Sequence, residues 1–348
     1  MPVSFGLNVA VALLASIAVS AAAYQAATVF APLALALFII AVVWPLQQWL
    51  QSRVPKLIAL AVTLIVIVAA GTAFASLIIW GFGRVGRAMM NDSGRYQGFY
   101  ENLVTWLDGH GVSVAGLWAE QFNVGWLLRK AHSVTNRINS TLAFWLITLT
   151  YVILGLLEVD DVRRKIQTLS NRNAARVLLQ GSAETAIKFR KYMIVRTQMS
   201  ILTGLFVSLF ALVIGLQFAA EWGVIAFVLN YIPFLGPFVA TLFPTLIAMT
   251  QFDSWQAIIG TFICLNIIQF VIGSYVEPRL SGNVLAISPL FVLFAIFFWT
   301  FLWGLFGTFI GVPIALAILT FCEQYPSSRW LAHLLGGPVA TEAKPAKS

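Results

Sequence analysis

The chain alternates long apolar runs with short polar connections. Runs that match membrane segments occupy residues 7–23, 28–50, 57–80, 141–157, 197–218, 222–250, 255–274 and 286–322. About 18 consecutive apolar residues are enough to cross the hydrocarbon core of a bilayer. The charged residues between Ile201 and Cys322 are only Glu221, Asp253, Glu277 and Arg279. This pattern predicts an all-α polytopic membrane protein with about eight transmembrane segments and broken or re-entrant helices in its C-terminal half.

Composition excludes an ordinary soluble enzyme. Hydrophobic residues make up 60% of the chain and charged residues 10%, whereas soluble domains carry about 25% charged residues. The net charge of +8 comes from cations in the connections between apolar runs, so it indicates membrane topology rather than nucleic-acid binding. With a cytoplasmic N-terminus, 14 of the 21 lysines and arginines face inward. Both termini are therefore predicted to lie on the cytoplasmic side of a bacterial inner membrane.

The same topology divides the chain into six regions. They are segments 1 to 3 (1–80), an extracytoplasmic amphipathic region (81–140), segment 4 (141–157), a cytoplasmic cationic helical loop (158–196), a core with segments 5 to 8 (197–322) and a cytoplasmic tail (323–348). Aromatic residues recur at helical spacing in the amphipathic region, which favours helices on the outer surface or against a neighbouring subunit. A small soluble cap packed on itself is the alternative.

No pattern in the sequence predicts a catalytic or cofactor site. Gly81–Gly86 reads G-x-G-x-x-G, but it follows a long apolar run instead of a short strand, so a nucleotide site is not expected. The three histidines lie outside the apolar runs, and the two cysteines lie inside them without metal-ligand spacing. We therefore expect no metal, no cofactor and no intramembrane enzyme.

The sixth apolar run cannot be one regular helix. Pro233, Gly236 and Pro237 follow Asn230 within seven residues, and each proline removes a backbone donor and clashes with the preceding turn. Broken backbone at membrane depth is tolerated only when it is buried in protein or lines a wet cavity. Discontinuous helices of this kind build the solute sites of transporters.

The eighth run also predicts a break. Its 37 residues would measure about 55 Å as one helix, against a hydrocarbon core of about 30 Å. Gly304, Gly307, Gly311 and Pro313 are the expected positions of the bend. Close helix packing through small residues is the alternative explanation of both breaks. The residues of the two breaks, together with Asn230 and Gln269, are therefore the predicted lining of the substrate pathway.

Two opposite charges end the seventh run. Glu277 and Arg279 flank Pro278, and ions near lipid are costly and usually paired. We predict that they form a functional pair that couples or gates transport. An interfacial ion pair that only anchors the loop is the alternative.

Several of these motifs together resemble the autoinducer-2 exporter family. The resemblance is carried, in order, by Asn230–Pro237, Glu277–Leu280 with Gly282, Ser288-Pro289, and Trp299 through Trp303-Gly304 to Val312-Pro313. It implies an eight-span inner-membrane permease, a homo-oligomer, that exports autoinducer-2 or a related small polar solute. Where the family often has Tyr-Ile-Gly, this chain has Phe234-Leu235-Gly236, which puts the solute in question.

Three functions follow as hypotheses. The first is a secondary transporter that moves a small polar solute out of the cytoplasm. The second is a sodium(lithium)/proton antiporter, which some members of the resembling family are, and which requires carboxylates in the membrane. The third is a non-transporting membrane scaffold. The candidate carboxylates are few and lie at the predicted ends of spans, which favours the first hypothesis.

Overall fold

The structure is a computed structural model that describes residues 2–91, 105, 109, 138–252, 254–281 and 287–336. Its regular elements are helices, and no strand occurs within these ranges. The longer helices are α1 (Pro2–Gln25), α2 (Ala27–Gln51), α3 (Lys56–Asn91), α4 (Ile138–Gln167), α5 (Arg172–Val213), α6 (Ala219–Leu229), α7 (Leu235–Gln251), α8 (Trp255–Val271) and α10 (Pro289–Gln324). The shorter elements are a π-helical turn (Ile272–Val276), α9 (Glu277–Ser281) and α11 (Arg329–Leu335). Most of the predicted region 81–140, together with Asp253, Gly282 and the tail beyond residue 336, lies outside the described residues.

The predicted all-α membrane class is confirmed for the described ranges. Six helices there are long and apolar enough to cross a bilayer: Ala27–Gln51, Lys56–Met89, Leu142–Gln167, Arg172–Val213, Trp255–Leu280 and Pro289–Gln324. The described apolar part of α1, and α6 and α7, are shorter. The count of eight segments stays a prediction, because α6 and α7 would each cover only part of a membrane.

The described residues of two predicted connections are mostly helical. The Gly81–Gly86 motif lies inside α3, which runs without interruption to Asn91, so it forms no phosphate-binding loop. The cationic residues of 158–196 lie on the end of α4 and the first part of α5, joined by a short turn at 168–171. Near the start of α3, Lys56 Nζ donates a hydrogen bond to the Leu157 carbonyl at 2.7 Å. This contact places the start of α3 level with that point of α4.

The chain forms two compact units that interleave along the sequence. Unit 1 comprises Met1–Ile65, Ala143–Ile194 and Ser281–Ser348, and unit 2 comprises Val66–Leu142 and Val195–Leu280. Unit 1 has a core in which α2, α5 and α10 contribute side chains such as Phe38, Phe189 and Ile310. Unit 2 has its own core of residues from α3 and α5 to α8. Each of the two predicted helix breaks belongs to a different unit.

In unit 2, the break between α6 and α7 reverses the chain. The turn covers residues 230–234, and a Cβ on Gly236 would fall on the carbonyl group of Leu229. At the other end, Gln251 Nε2 donates to the Gly215 carbonyl at 2.6 Å, and Gln251 Oε1 accepts from the Gln217 backbone N–H at 2.8 Å. Because the end of α7 is tied to the segment before α6, the two helices form an antiparallel helical hairpin.

In unit 1, α10 reverses direction in the same way. Gly304 has φ 61° and ψ −141°, a conformation that only glycine adopts readily. Residues eight apart then lie side by side, because a Cβ on Gly307 would fall on the Trp299 carbonyl, whereas such residues are about 12 Å apart along a straight helix. The hydroxyl groups of Thr300 and Thr308 are 2.7 Å apart. The single predicted bend is therefore a second helical hairpin.

Candidate functional site around the hairpin tip of unit 2

A polar stripe of α5 faces the tip of the α6–α7 hairpin. Tyr231 Oη donates to Thr197 Oγ1 at 3.0 Å, and Asn230 Nδ2 donates to Ser200 Oγ at 3.4 Å. Ser200 is fully buried, and Asn230 and Tyr231 are nearly so. Buried polar groups are costly unless they are hydrogen-bonded, so these hydrogen bonds hold the side chains in one defined arrangement. We call these four residues the tip cluster.

Two glycines allow α5 and α6 to approach closely enough for these contacts. A Cβ on Gly204 of α5 would lie 2.7 Å from the Gly223 carbonyl oxygen, and a Cβ on Gly223 would lie 2.6 Å from Ser208 Cβ. Both distances are shorter than real Cβ contacts, so any larger residue would push the helices apart. Thr203, one residue before Gly204, is fully buried, and its hydroxyl has no hydrogen-bond partner among the described residues. A group that could bind a solute hydroxyl therefore lies close to the tip cluster.

The tip itself leaves backbone groups unbonded. Pro233 has no N–H, and the chain passes through Phe234 with φ 63°, which is unusual for a residue with a side chain. No backbone hydrogen bond of the described chain uses the Phe234 N–H or the Asn230 carbonyl oxygen. Freed groups of this kind can bind a polar ligand. The structure thus brings three predicted pathway residues, Asn230, Pro233 and Gly236, to one tip, with Pro237 in the first turn of α7.

An ion pair lies beside the tip cluster, and it differs from the predicted one. Arg196 Nη1 donates to Glu277 Oε2 at 3.3 Å, with the Arg196 side chain 11% exposed and that of Glu277 29% exposed. Glu277 is therefore paired with Arg196 and not with Arg279, because residues two apart on a helix point to different faces. A joint role of Glu277 and Arg279 in transport stays a prediction. Arg279 is exposed, and no ion pair to it is formed within the described residues.

A π-helical turn places Glu277 next to Arg196. Pro278 cannot donate to the carbonyl of Ser274, so one regular α-helical hydrogen bond is missing at this point. The chain forms the wider turn Ile272–Val276 before α9 begins at Glu277. Such turns often occur at functional sites. Because Pro278 follows directly, the widened turn fixes the direction from which the carboxylate approaches α5.

A second ion pair of unit 2 was not predicted. Arg84 Nη1 of α3 lies 2.7 Å from Glu221 Oε1, in the first turn of α6. Here the carboxylate is buried, with 5% of its side chain exposed, and the guanidinium is 53% exposed. From the sequence, Glu221 could be recognised only as one of the few carboxylates near apolar runs. Its partner could not be found from the chain alone, because Arg84 lies 137 positions earlier.

The other predicted pathway residues are not drawn into the tip cluster. Gly304, Gly307, Gly311 and Pro313 belong to the hairpin of unit 1, where a Cβ on Gly311 would lie 3.1 Å from the Ala295 carbonyl oxygen. The contacts of Gly307 and Gly311 are those of close packing, whereas Gly304 is exposed. Gln269 of unit 2 is half-buried, and its amide nitrogen has no hydrogen-bond partner among the described residues. The prediction that the residues of both breaks line one substrate pathway stays a prediction.

Comparisons with known proteins point to transport. A family model described as AI-2E family transporter matches residues 10–327. The chain is 25% identical to the AI-2 transport protein TqsA of Escherichia coli K12, over 89% of this chain and 90% of that protein. It is 24% identical to YhhT of the same organism, a candidate transport protein, over 96% of both chains. A further candidate transport protein, YrrI of Bacillus subtilis, is 24% identical over 84% of this chain and 85% of its own length.

Proposed function

The chain belongs to the AI-2E family of transporters, and from this premise we propose that it is an inner-membrane secondary transporter that exports a small polar solute. The observation that carries the proposal is the tip cluster. Buried hydroxyl and amide groups there surround a helix break with unbonded backbone groups. Such an arrangement is expensive for a merely structural membrane helix and useful for binding a hydroxylated solute.

The two hairpins enter into the proposed topology. Six helices (α1 to α5 and α8) cross the membrane, and each hairpin returns to the side from which it enters. The Arg196–Glu277 ion pair supports this arrangement. With eight full crossings, Arg196 at the inner end of the fifth segment and Glu277 at the end of the seventh would lie on opposite faces of the membrane. A re-entrant α6–α7 hairpin instead brings both to the inner side, and their 3.3 Å contact supports this arrangement.

The re-entrant arrangement also improves the charge distribution. Both termini stay cytoplasmic, and Arg279 moves from the outer to the inner side. The inner face then carries 15 of the 21 lysines and arginines, in closer agreement with the positive-inside rule. Labelling a cysteine in place of Arg279 from each side of the membrane tests this topology. Labelling from the outside only would contradict the re-entrant hairpin.

We expect the solute to be small, polar and uncharged, with autoinducer-2 as the first candidate because TqsA is named an AI-2 transport protein. The tip cluster offers neutral hydrogen-bonding groups, and the neighbouring charges cancel each other in pairs. Export of a metal cation is less well supported. Glu221 and Glu277, the carboxylates of unit 2 among the described residues, are already held by arginines, which disfavours the sodium(lithium)/proton antiporter.

Flux measurements in proteoliposomes test the function. Purified protein should move autoinducer-2 faster than protein-free vesicles do, and replacing Asn230 with Ala should reduce that flux. Sodium or lithium flux without any solute movement would support the antiporter instead. Absence of both fluxes from a correctly folded protein would favour the scaffold. A homo-oligomeric assembly stays an expectation from the family resemblance, and cross-linking in the native membrane would test it.

A further inference from the structure

We propose that Thr203 is a specificity-determining residue whose hydroxyl group forms a hydrogen bond with a hydroxyl group of the solute. This inference rests on the proposed transport function. It adds a residue outside the tip cluster to the solute site. It also defines the solute class as a small neutral molecule that carries hydroxyl groups on an apolar framework.

The first argument is a comparison of the buried threonines that the structure describes in unit 2. Thr241, Thr245 and Thr261 each donate their hydroxyl to a carbonyl of their own helix, at 3.0, 2.8 and 2.8 Å. Thr203 is fully buried, yet its hydroxyl bonds neither to its own helix nor to any other described residue. A buried hydroxyl without a partner is costly. The position therefore suits a group whose partner comes from a ligand.

The second argument is that Thr203 lies next to other unused bonding groups. Thr203 follows Ser200 by three residues on α5, and residues three apart share one face of a helix. Ser200 Oγ accepts from Asn230 Nδ2, but neither the Ser200 hydroxyl hydrogen nor Asn230 Oδ1 bonds to a described residue. Two donors and one acceptor are therefore available together. Thr63 and Thr185 also lack partners among the described residues, but they belong to unit 1 and not to the unit of the tip cluster.

The third argument is that aromatic rings form an apolar wall beside these polar groups. The ring centroid of Tyr231 lies 5.4 Å from that of Phe74 and 5.7 Å from that of Phe227, both in edge-to-face contact. A Cβ on Gly204 would lie 2.9 Å from Phe227 Cβ, so Phe227 packs directly against the residue after Thr203. Small-molecule sites combine a mostly apolar lining with a few fixed polar groups. A hydroxylated carbon compound matches both parts of this lining.

The described arrangement is closed around this site. Thr203 and Ser200 are fully buried, so a solute reaches them only when the hairpin tip moves away from α5. The contact between Asn230 Nδ2 and Ser200 Oγ is 3.4 Å long, beyond the usual range of such hydrogen bonds, and is therefore weak. A solute that bonds to Ser200 and Thr203 replaces this weak contact and supplies the partner that Thr203 lacks.

The first experiment measures the stability of the empty protein and does not depend on the solute. Thr203→Val keeps the shape of the side chain and removes the hydroxyl. Because the lost group had no partner, this variant should melt at a higher temperature than the wild type in detergent without solute. Thr261→Val is the matched control, since it removes a hydroxyl that bonds to the Ala257 carbonyl, and its melting temperature should not rise. A melting temperature that is not raised in Thr203→Val would show that its hydroxyl already has a partner, and it would overturn the proposal.

The second experiment measures the binding of autoinducer-2 to the purified protein by calorimetry. Thr203→Val should raise the Kd about fivefold, which corresponds to the loss of one neutral hydrogen bond. Thr203→Ser keeps a hydroxyl at the same position, and it should bind autoinducer-2 nearly as the wild type does. Thr261→Val should also bind as the wild type does. An unchanged Kd in Thr203→Val, or an equal rise in Thr203→Ser, would contradict the role of the Thr203 hydroxyl.

The two experiments separate this inference from the proposed function. If the wild type binds autoinducer-2 and Thr203→Val binds it equally well, the transport function stands and the assignment of Thr203 is wrong. If the wild type binds no autoinducer-2, the assigned solute fails, and the melting temperatures alone decide whether the Thr203 hydroxyl lacks a partner in the empty protein.

Discussion

The two helical hairpins reverse the chain with different chemistry. The hairpin of unit 2 turns through polar residues that bond to α5, and its base is tied by Gln251. The hairpin of unit 1 turns at an exposed Gly304, and its arms are joined by Gly307, Gly311 and a threonine pair. Aromatic rings surround the second turn, including Trp299 against Trp303. We infer that the first tip binds solute and that the second hairpin acts through close packing.

The largest effect should come from filling the closest approach in unit 1. Gly307→Ala would place a Cβ on the backbone carbonyl of Trp299, and neither backbone segment can move without separating the arms. Overpacking costs about 1–3 kcal/mol or more. We expect most of this protein to aggregate or to melt at a clearly lower temperature, as measured by thermal scanning in detergent.

Gly304→Ala is the matched control for that prediction. No atom lies within 4 Å of the position of its Cβ, but its φ of 61° is strained for any other residue. We expect a loss of about 1–3 kcal/mol from the backbone alone, with correctly assembled protein still recovered. If Gly307→Ala were as stable as the wild type, the close antiparallel packing of this hairpin would be wrong.

The sequence predicted where both helices break but not how the chain continues. Pro233 lacks the backbone N–H that a helix needs, and Gly304 can adopt a positive φ, and both are local properties. Whether the next helix bends or returns depends on contacts between distant residues, such as the Gln251 side chain with residues 215 and 217. The partner of Glu277 was missed for a similar reason. Its local neighbour Arg279 was chosen, although Arg196 is 81 positions away.

The next prediction separates the hydroxyl pairs of the two hairpins. Tyr231→Phe removes the donor to Thr197 in unit 2, and Thr308→Val removes the contact with Thr300 and the 3.2 Å contact with the Gly304 carbonyl in unit 1. Each lost hydrogen bond should cost about 1 kcal/mol of stability. Only Tyr231→Phe should also weaken solute binding, with KM raised by about fivefold for one bond of that size.

Transport kinetics and thermal scans of both variants check this difference. Tyr275→Phe is the control for the loss of a tyrosine hydroxyl, because Tyr275 is exposed and makes a ring contact with Phe270. An unchanged KM in Tyr231→Phe would remove the tip cluster from solute binding. A raised KM in Thr308→Val would show that the hairpin of unit 1 also takes part.

An effect on stability alone, without a change in solute binding, is expected at the base of the unit 2 hairpin. Gln251→Leu removes two hydrogen bonds to the backbone of the segment before α6. These groups are partly exposed, so water can replace Gln251, and we expect a loss of about 1 kcal/mol. Hydrogen exchange of residues 215–220 should increase while that of the tip stays the same. Protection unchanged along the whole hairpin would mean that Gln251 does not hold its base together.

The smallest effect on stability is expected at Phe234, where strain and flexibility oppose each other. Its φ of 63° is unfavourable for a residue with a side chain, and such positions cost about 1–3 kcal/mol. Phe234→Gly removes that strain, but glycine loses more backbone entropy on folding, by about 0.5–1 kcal/mol. The Phe234 ring is 52% exposed, so little buried apolar contact is lost. We therefore expect the melting temperature to stay the same or rise slightly.

Transport by Phe234→Gly should nevertheless slow, because the glycine no longer holds Asn230 and the unbonded backbone groups in one geometry. A Phe234→Gly protein with wild-type melting and wild-type flux would show that the strain at the tip has no part in transport.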